Sequence, residues 1–396
     1  MISRYVLFLI IGIDALILSS QTLLLSISYE EAKLLYGDFS FLQLLVQFSL
    51  NLFGHNDFGL RFVMLLFHTL SVLLIYLISF DYLAQERNRL WMLLMFVLLP
   101  GVLSSAVMVN SAGMIIFGLL LYIYLHTRVR LSLLNLLLLC YALIDVGFAY
   151  LFVGLAFFYL YNKNVQLFTY NLALYLLTSF LYGFEILGYP SGHFLDTVGV
   201  YSAIFTPIIF IYLFYVLYRR ALTKKVDIIW FIATTSLIFS LILSFRQSVP
   251  IEHFAPYLIV ALPLGAQTFA SSYRIRLKEH RKFYKTTFII SFVFLLLNAL
   301  AVFFNKELYL LMDEPKKHFA YDVHIAKELS QNLYEKGIEC VKTDYKMQLR
   351  LEFYGIKKCD AYLLRELKDK VEEMQNVTIS YKNVTLYRGY VTKVNK

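Results

Sequence analysis

Long apolar runs alternate with short polar breaks from the start of the chain to residue 304. The first run, residues 5–27, is ended by Ser28-Tyr29-Glu30-Glu31-Ala32-Lys33. Residues 41–53 (FLQLLVQFSLNLF) are too short to cross a bilayer, which takes about 20 residues. In that stretch Gln43, Gln47 and Asn51 recur four apart, with leucine and phenylalanine opposite. The spacing predicts an amphipathic helix lying in the membrane interface. Gly54-His55-Asn56-Asp57 breaks it, and residues 58–83 form a second span. Further spans are predicted over 90–109 (kinked at Pro100-Gly101), 111–126, 165–188, 203–218, 228–245, 254–270 and 286–304. Residues 131–161 suit two short helices hinged at Asp145-Val146-Gly147.

The remaining residues are polar and patterned like a small folded domain. Residues 320–335 have helical spacing and stop at Gly337. Residues 338–341 and 349–354 read as strands, and 362–374 as a helix. Residues 377–381 and 384–391 alternate about Lys382-Asn383 like a hairpin. The fold class expected is an all-α polytopic membrane protein with about eleven transmembrane helices and a small C-terminal α/β extracytoplasmic domain. The predicted division is a membrane domain over 1–305 and a soluble domain over 306–396.

Composition agrees. Hydrophobic residues make up 59% of the 396 and charged residues 16%, against roughly a quarter charged in globular domains. The net charge of +9 is no sign of nucleic-acid binding, because the basic residues sit in short loops between spans. Gln85-Glu86-Arg87-Asn88-Arg89, His126-Thr127-Arg128-Val129-Arg130, Arg219-Arg220 and residues 274–285 all fall on one side of the predicted path. The positive-inside rule makes that side cytoplasmic, with the N-terminus inside and the C-terminal domain outside. No internal repeat with matched broken helices is visible, which argues against an inverted-repeat transporter. Of three cysteines, Cys140 lies in an apolar run, while Cys340 and Cys359 either pair in an oxidising compartment or stay free.

The candidate chemistry gathers in the outward loops. Glu30 and Glu31 directly follow a span, where a carboxylate is costly without a partner or a task. Their structural role is a favourable contact with a helix N-terminus, and their chemical role is general base or metal ligand. Arg246 and His253 lie in a second polar loop, and His193 and Asp196 in a third. An arginine at the end of a span also reaches headgroups without binding substrate. Asp145 sits in a hinge and suits a helix cap, Asp57 suits the N-cap of span two, and Arg61 stands one turn on to pair with it. His68 and His126 read as ordinary helix residues. No metal spacing such as CxxC or HxxxH occurs, so a divalent ion would have to rest on carboxylates.

A first span, an acidic pair followed two residues on by a base, an interfacial helix, and then Leu52-Phe53-Gly54-His55-Asn56-Asp57-Phe58-Gly59-Leu60-Arg61 together resemble the GT-C glycosyltransferases. The resemblance is to the protein O-mannosyltransferase and lipid A aminoarabinose transferase branch. There the pattern is Asp-Glu-x-Arg followed by Leu-Phe-Gly and Leu-Arg, and it covers about the first 165 residues of this chain. Glu30 stands at the aspartate position, Glu31 at the glutamate and Lys33 at the arginine. The usual Pro-Pro-Leu is replaced by Asp38-Phe39-Ser40-Phe41-Leu42, and the second acidic motif reads Val109-Asn110-Ser111-Ala112-Gly113 without a carboxylate. The resemblance implies an inverting glycosyltransferase of a bacterial inner membrane, using a polyprenyl-phosphate sugar donor and a protein, lipid A or polysaccharide acceptor. Glu31 or Glu30 is then the base, with the family pattern favouring Glu31. Lys33, Arg246 and His253 are candidates for the donor phosphate. Asp57, Arg61, Asp145, His193 and Asp196 are candidate cavity residues. A lipid or glycan flippase and a non-catalytic assembly protein are the rival readings.

Overall fold

The computed structural model describes residues 2–183, 192–366 and 375–393. The chain folds as a mostly helical polytopic membrane protein with a small three-stranded sheet near its C-terminus. In chain order the helices are α1 (Ile2–Leu24), α2 (Tyr29–Tyr36), α3 (Phe41–Phe53), α4 (Asp57–Tyr82), α5 (Glu86–Leu98), α6 (Pro100–Val107), α7 (Ser111–His126), α8 (Leu131–Ile144) and α9 (Ala149–Tyr161). They continue as α10 (Val165–Tyr182), α11 (Phe194–Phe205), α12 (Pro207–Leu222), α13 (Ile228–Ser244), α14 (Ile251–Ile259), α15 (Leu262–Ile275) and α16 (Lys278–Phe303). The tail holds α17 (Ala326–Glu335), α18 (Tyr345–Phe353) and strands β1 (Tyr362–Glu366), β2 (Gln375–Tyr381) and β3 (Val384–Lys393).

Among the described residues four helical stretches are long and apolar enough to span a membrane, or six if each bent pair counts as one. Shorter apolar helices, α7, α8, α9 and α13 among them, carry the rest of the apolar chain. The bend at Pro100 is 58° and falls where the sequence places a kink. A sharper break of 104° at Thr206-Pro207 divides the run expected to be one straight span over 203–218. Proline disfavours a helical conformation in the residue before it, and Thr206 sits at φ +64°. The hinge at Asp145 is present as a single 3-10 turn between α8 and α9. Of the polar loop expected over 189–196, residues 189–191 lie outside the described residues, as do 184–188 of the preceding span.

The chain forms two compact units. One comprises Met1–Leu18 with Met64–Leu300, the other Ser19–Val63 with Ala301–Lys396. In the first unit α9 and α13 pass almost backbone to backbone: a Cβ on Gly154 would lie 3.0 Å from the Ile232 Cα. Small residues permit such approaches where lipid supplies no hydrophobic drive between helices. Apolar side chains such as Phe8 and Leu16 on α1 and Phe294 and Leu297 on α16 are exposed, as hydrocarbon-facing positions require.

The second unit has its own core, built from Tyr309, Ile325, Leu329, Val341, Leu351, Ile356 and inward residues of the sheet. The sheet order is β1-β3-β2, all antiparallel, and the β2–β3 hairpin turns at Lys382-Asn383 as the alternation predicts. Four local expectations are corrected. Residues 349–353 end a helix capped by Tyr354 and are not a strand: Leu349, Leu351 and Phe353 mimic a two-residue period, but Asp344 caps the helix start by accepting the Met347 N–H at 3.0 Å. Residues 362–366 are a strand, not a helix, because pairing with β3 overrides local preference, and 367–374 lie outside the described residues. Residues 338–341 make only an isolated bridge, Cys340 with Lys357. The helix expected from 320 begins at Ala326 after a 3-10 turn at Tyr321–His324.

Candidate functional site

The Glu30-Glu31 segment is the first turn of α2. Ser28 is its N-cap. The Ser28 Oγ accepts the Glu31 N–H at 3.2 Å, and the Glu31 Oε2 accepts the Ser28 N–H at 2.8 Å, closing a capping box. Glu31 is buried and Glu30 is exposed, because consecutive helical side chains point about 100° apart. Lys33, three residues after Glu30, is exposed on the same face.

Arg61 of α4 explains the burial of Glu31. Its guanidinium is fully buried and donates from Nε to Glu31 Oε1 at 2.9 Å and from Nη2 to Glu31 Oε2 at 2.7 Å. The remaining hydrogens go to the carbonyls of Thr22 (3.2 Å), Leu25 (2.7 Å) and Ser26 (2.8 Å). Helix ends leave such carbonyls without helical partners, and the planar fork suits both them and a carboxylate. Both Glu31 oxygens are therefore engaged, whereas Glu30 makes no ion pair among the described residues. The next turn is tied as well: Gln43 of α3 donates to the Leu35 and Gly37 carbonyls at the end of α2. Gln43 is thus buried instead of joining Gln47 on a wet face, while Phe41, Leu44, Phe48 and Leu52 of α3 are exposed.

The expected partnership of Asp57 and Arg61 is not what forms. Asn56 caps α4 by accepting the Gly59 N–H at 2.7 Å. Asp57 is buried, accepts the Tyr354 hydroxyl at 2.6 Å and pairs with Lys327 at 2.7 Å.

In the first unit, Asp145 caps its hinge by accepting the Gly147 N–H at 2.7 Å and also takes the Ser111 hydroxyl at 2.8 Å. His193 lies 3.4 Å from Asp196, and its backbone N–H donates to the Ser244 carbonyl at 2.8 Å. Phe194 stacks on Phe245 at 4.9 Å, so the starts of α11 and of the Arg246 loop adjoin. Arg246 is exposed and His253 half-buried at the start of α14.

No protein-family model and no curated protein matches this sequence. Solved structures do. The chain aligns over 99% of its length, and 98% of the other chain, with crystal structures of ArnT from Cupriavidus metallidurans in the apo state (TM-score 0.54) and bound to undecaprenyl phosphate (TM-score 0.55). The sequence identity is 12% in both cases. The fold is that of ArnT.

One pair within this ArnT-like fold escaped the sequence reading. Asp14, midway along α1, lies 2.6 Å from the Nε2 of His68 on α4, and both are buried. His68 also lines a small cavity with Ser71, Phe96, Val102, Ser105, Gly113 and Ile116. A lone carboxylate inside an apolar run was the available signal, since such acids need a partner in hydrocarbon. Among the described residues no cluster of three or more His, Cys, Asp or Glu side chains could hold a metal ion.

Proposed function

We propose that this integral membrane protein is a glycosyltransferase moving a sugar from a polyprenyl-phosphate donor to a hydroxyl or amine of a protein, lipid A or polysaccharide acceptor. The observation that carries the reading is the exposed Glu30, without an ion pair among the described residues and three residues before Lys33 at the start of α2, in a chain with the fold of an ArnT whose structure holds undecaprenyl phosphate. Glu30 is the base. It takes the acceptor proton as the new bond to the sugar C1 forms and the C1–O bond to phosphate breaks, with inversion. Lys33 neutralises the departing phosphate. Glu31 does not share the proton transfer, since freeing it would strand a buried arginine; its part is to fix the turn that carries Glu30. The Cys340–Cys359 disulfide supports placing the tail in an oxidising compartment, the periplasm of a bacterial cell.

The test is transfer from a panel of synthetic undecaprenyl-phosphate sugars by the full chain in lipid nanodiscs. Glu30→Gln should lower the rate by about 10²–10⁴-fold, the usual contribution of a general base. Wild-type rates in that variant would sink the reading. A transporter reading draws its one support from the Asp14–His68 pair, because ionisable groups within spans mark ion or substrate paths. It predicts flux of labelled polyprenyl phosphate across proteoliposomes that Asp14→Asn abolishes.

A further inference from the structure

We propose that Tyr354, some three hundred residues along the chain from the acidic turn, is a positioning residue for Glu30; this rests on the glycosyltransferase reading above. Its hydroxyl touches both ends of the segment that carries Glu30. It accepts the Ile27 N–H at 2.9 Å, one residue before the Ser28 cap, and donates to Asp57 Oδ1 at 2.6 Å, one residue after the Asn56 cap of α4. A single phenol oxygen therefore joins the segment entering α2 to the start of α4, where Arg61 leaves to grip Glu31.

Other contacts flank this bridge. The Ser26 N–H donates to the Val323 carbonyl at 2.8 Å, Lys327 donates to the Leu23 carbonyl at 3.0 Å and to Asp57 Oδ2 at 2.7 Å, and Lys346 stands 5.0 Å over the ring of Tyr29. Glu30 itself makes none of these contacts, so its exposed side chain has no ion pair among the described residues while the segments on both sides of it are held.

Tyr354 is held in turn. It ends α18, where Gly355 adopts φ +88° and the Ile356 N–H reaches back to the Leu351 carbonyl at 3.1 Å. This is the glycine-terminated helix end, with Leu351 and Ile356 both buried in the core of the second unit. A Cβ on residue 355 would lie 2.7 Å from the Tyr334 hydroxyl, which itself donates to the Tyr354 carbonyl at 3.2 Å. The Cys340–Cys359 disulfide closes the loop that contains α18 and Tyr354. Burial, with the Asp57 charge adding to it, pushes the phenol far above its ordinary range, so it remains a donor at every working pH.

The experiment compares wild type, Tyr354→Phe, Lys316→Met and Glu30→Gln as full chains in nanodiscs. Two readouts are taken: hydrogen exchange of the peptide covering residues 25–33, and kcat and KM with the undecaprenyl-phosphate sugar that wild type uses. Tyr354→Phe is expected to speed exchange of that peptide at least tenfold and to lower kcat ten- to a hundredfold, with KM within twofold. Lys316→Met, which breaks only the exposed ion pair with Glu366 (2.6 Å), is expected to change kcat less than threefold. Unchanged exchange in Tyr354→Phe overturns the inference, as does faster exchange with an unchanged kcat. If wild type transfers sugar, Glu30→Gln does not and Tyr354→Phe matches wild type, this inference alone falls. If Glu30→Gln transfers normally, or wild type transfers nothing from the panel, the glycosyltransferase reading falls and this one with it.

Discussion

Arg61 is the residue on which the first outer turn depends. Its bonds go to both oxygens of the buried Glu31 carboxylate and to the carbonyls of Thr22, Leu25 and Ser26 at and just past the end of α1. Removing one partner of such a pair leaves a buried charge and typically costs about 3–5 kcal/mol. Glu31→Gln is therefore expected to lose folded protein, read as a lowered midpoint of thermal unfolding in detergent, whereas Glu30→Gln leaves that midpoint within about 1 °C because surface changes of this kind stay within about ±0.5 kcal/mol. Equal stability of the two variants would show that the two glutamates do not divide the work. The acidic pair itself was legible in the sequence, from its place after an apolar run. The division between its members was not. Asp57, four residues before Arg61, is the partner that local spacing offers, while the observed one is thirty residues away on another helix. Asp14 and His68, fifty-four apart, show the same blind spot.

At the scale of elements, membrane helices announce themselves because every apolar run has to satisfy its backbone internally. Proline breaks are harder to grade: Pro100 bends its pair by 58° and Pro207 by 104°, and nothing local separates them. In the tail the nine residues of α18 are too few for their pattern to tell a helix from a strand, and β1 becomes a strand only by pairing with β3. The disulfide is the element-level staple. Its cysteines are 19 residues apart, and loop closure of that size is worth about 3 kcal/mol in the chain-entropy account. Cys340→Ser with Cys359→Ser is expected to lower the stability of the second unit by about that amount, measured by denaturant unfolding followed by limited proteolysis within residues 340–359. An unchanged unfolding midpoint would argue that packing of α18 alone suffices.

At the scale of the whole molecule, the fold class was readable from apolarity, and the resemblance drawn from the first 165 residues meets a structural likeness that runs over 99% of the chain. Less readable was that residues 19–63 would join the tail in one compact unit, since that association rests on contacts between stretches far apart in sequence. The second unit should also be acid-sensitive. Burial, then Lys306 and His318, push the His324 imidazole down to about 3, and burial lowers His318 as well. The Nε2 of each has no hydrogen-bond partner among the described residues. Above pH 6.5 folded and unfolded chains are both neutral at these sites, so nothing is lost. As pH falls from 6.5 toward 3 the unfolded chain takes up protons that the folded one refuses, and stability declines by about 1.4 kcal/mol per pH unit for each fully refused proton. The unfolding midpoint is expected to drop steadily below pH 6, and His324→Phe to flatten that drop. A midpoint constant from pH 7 to 4.5 would contradict it.

The phenol bridge also sets a timetable. Asp57 and Tyr354 are separated by 297 residues and Ile27 and Tyr354 by 327. A ribosome adding about 5–20 residues per second takes roughly 15–60 s to cover that distance. During this interval the Arg61–Glu31 pair can close on its own, because both ends of it are already made. The Glu30 turn is then folded but still lacks its last restraint. On the proposed reading the newborn chain works ten- to a hundredfold below its full rate until Tyr354 has emerged and docked, so that a half-built copy discharges little lipid-linked sugar.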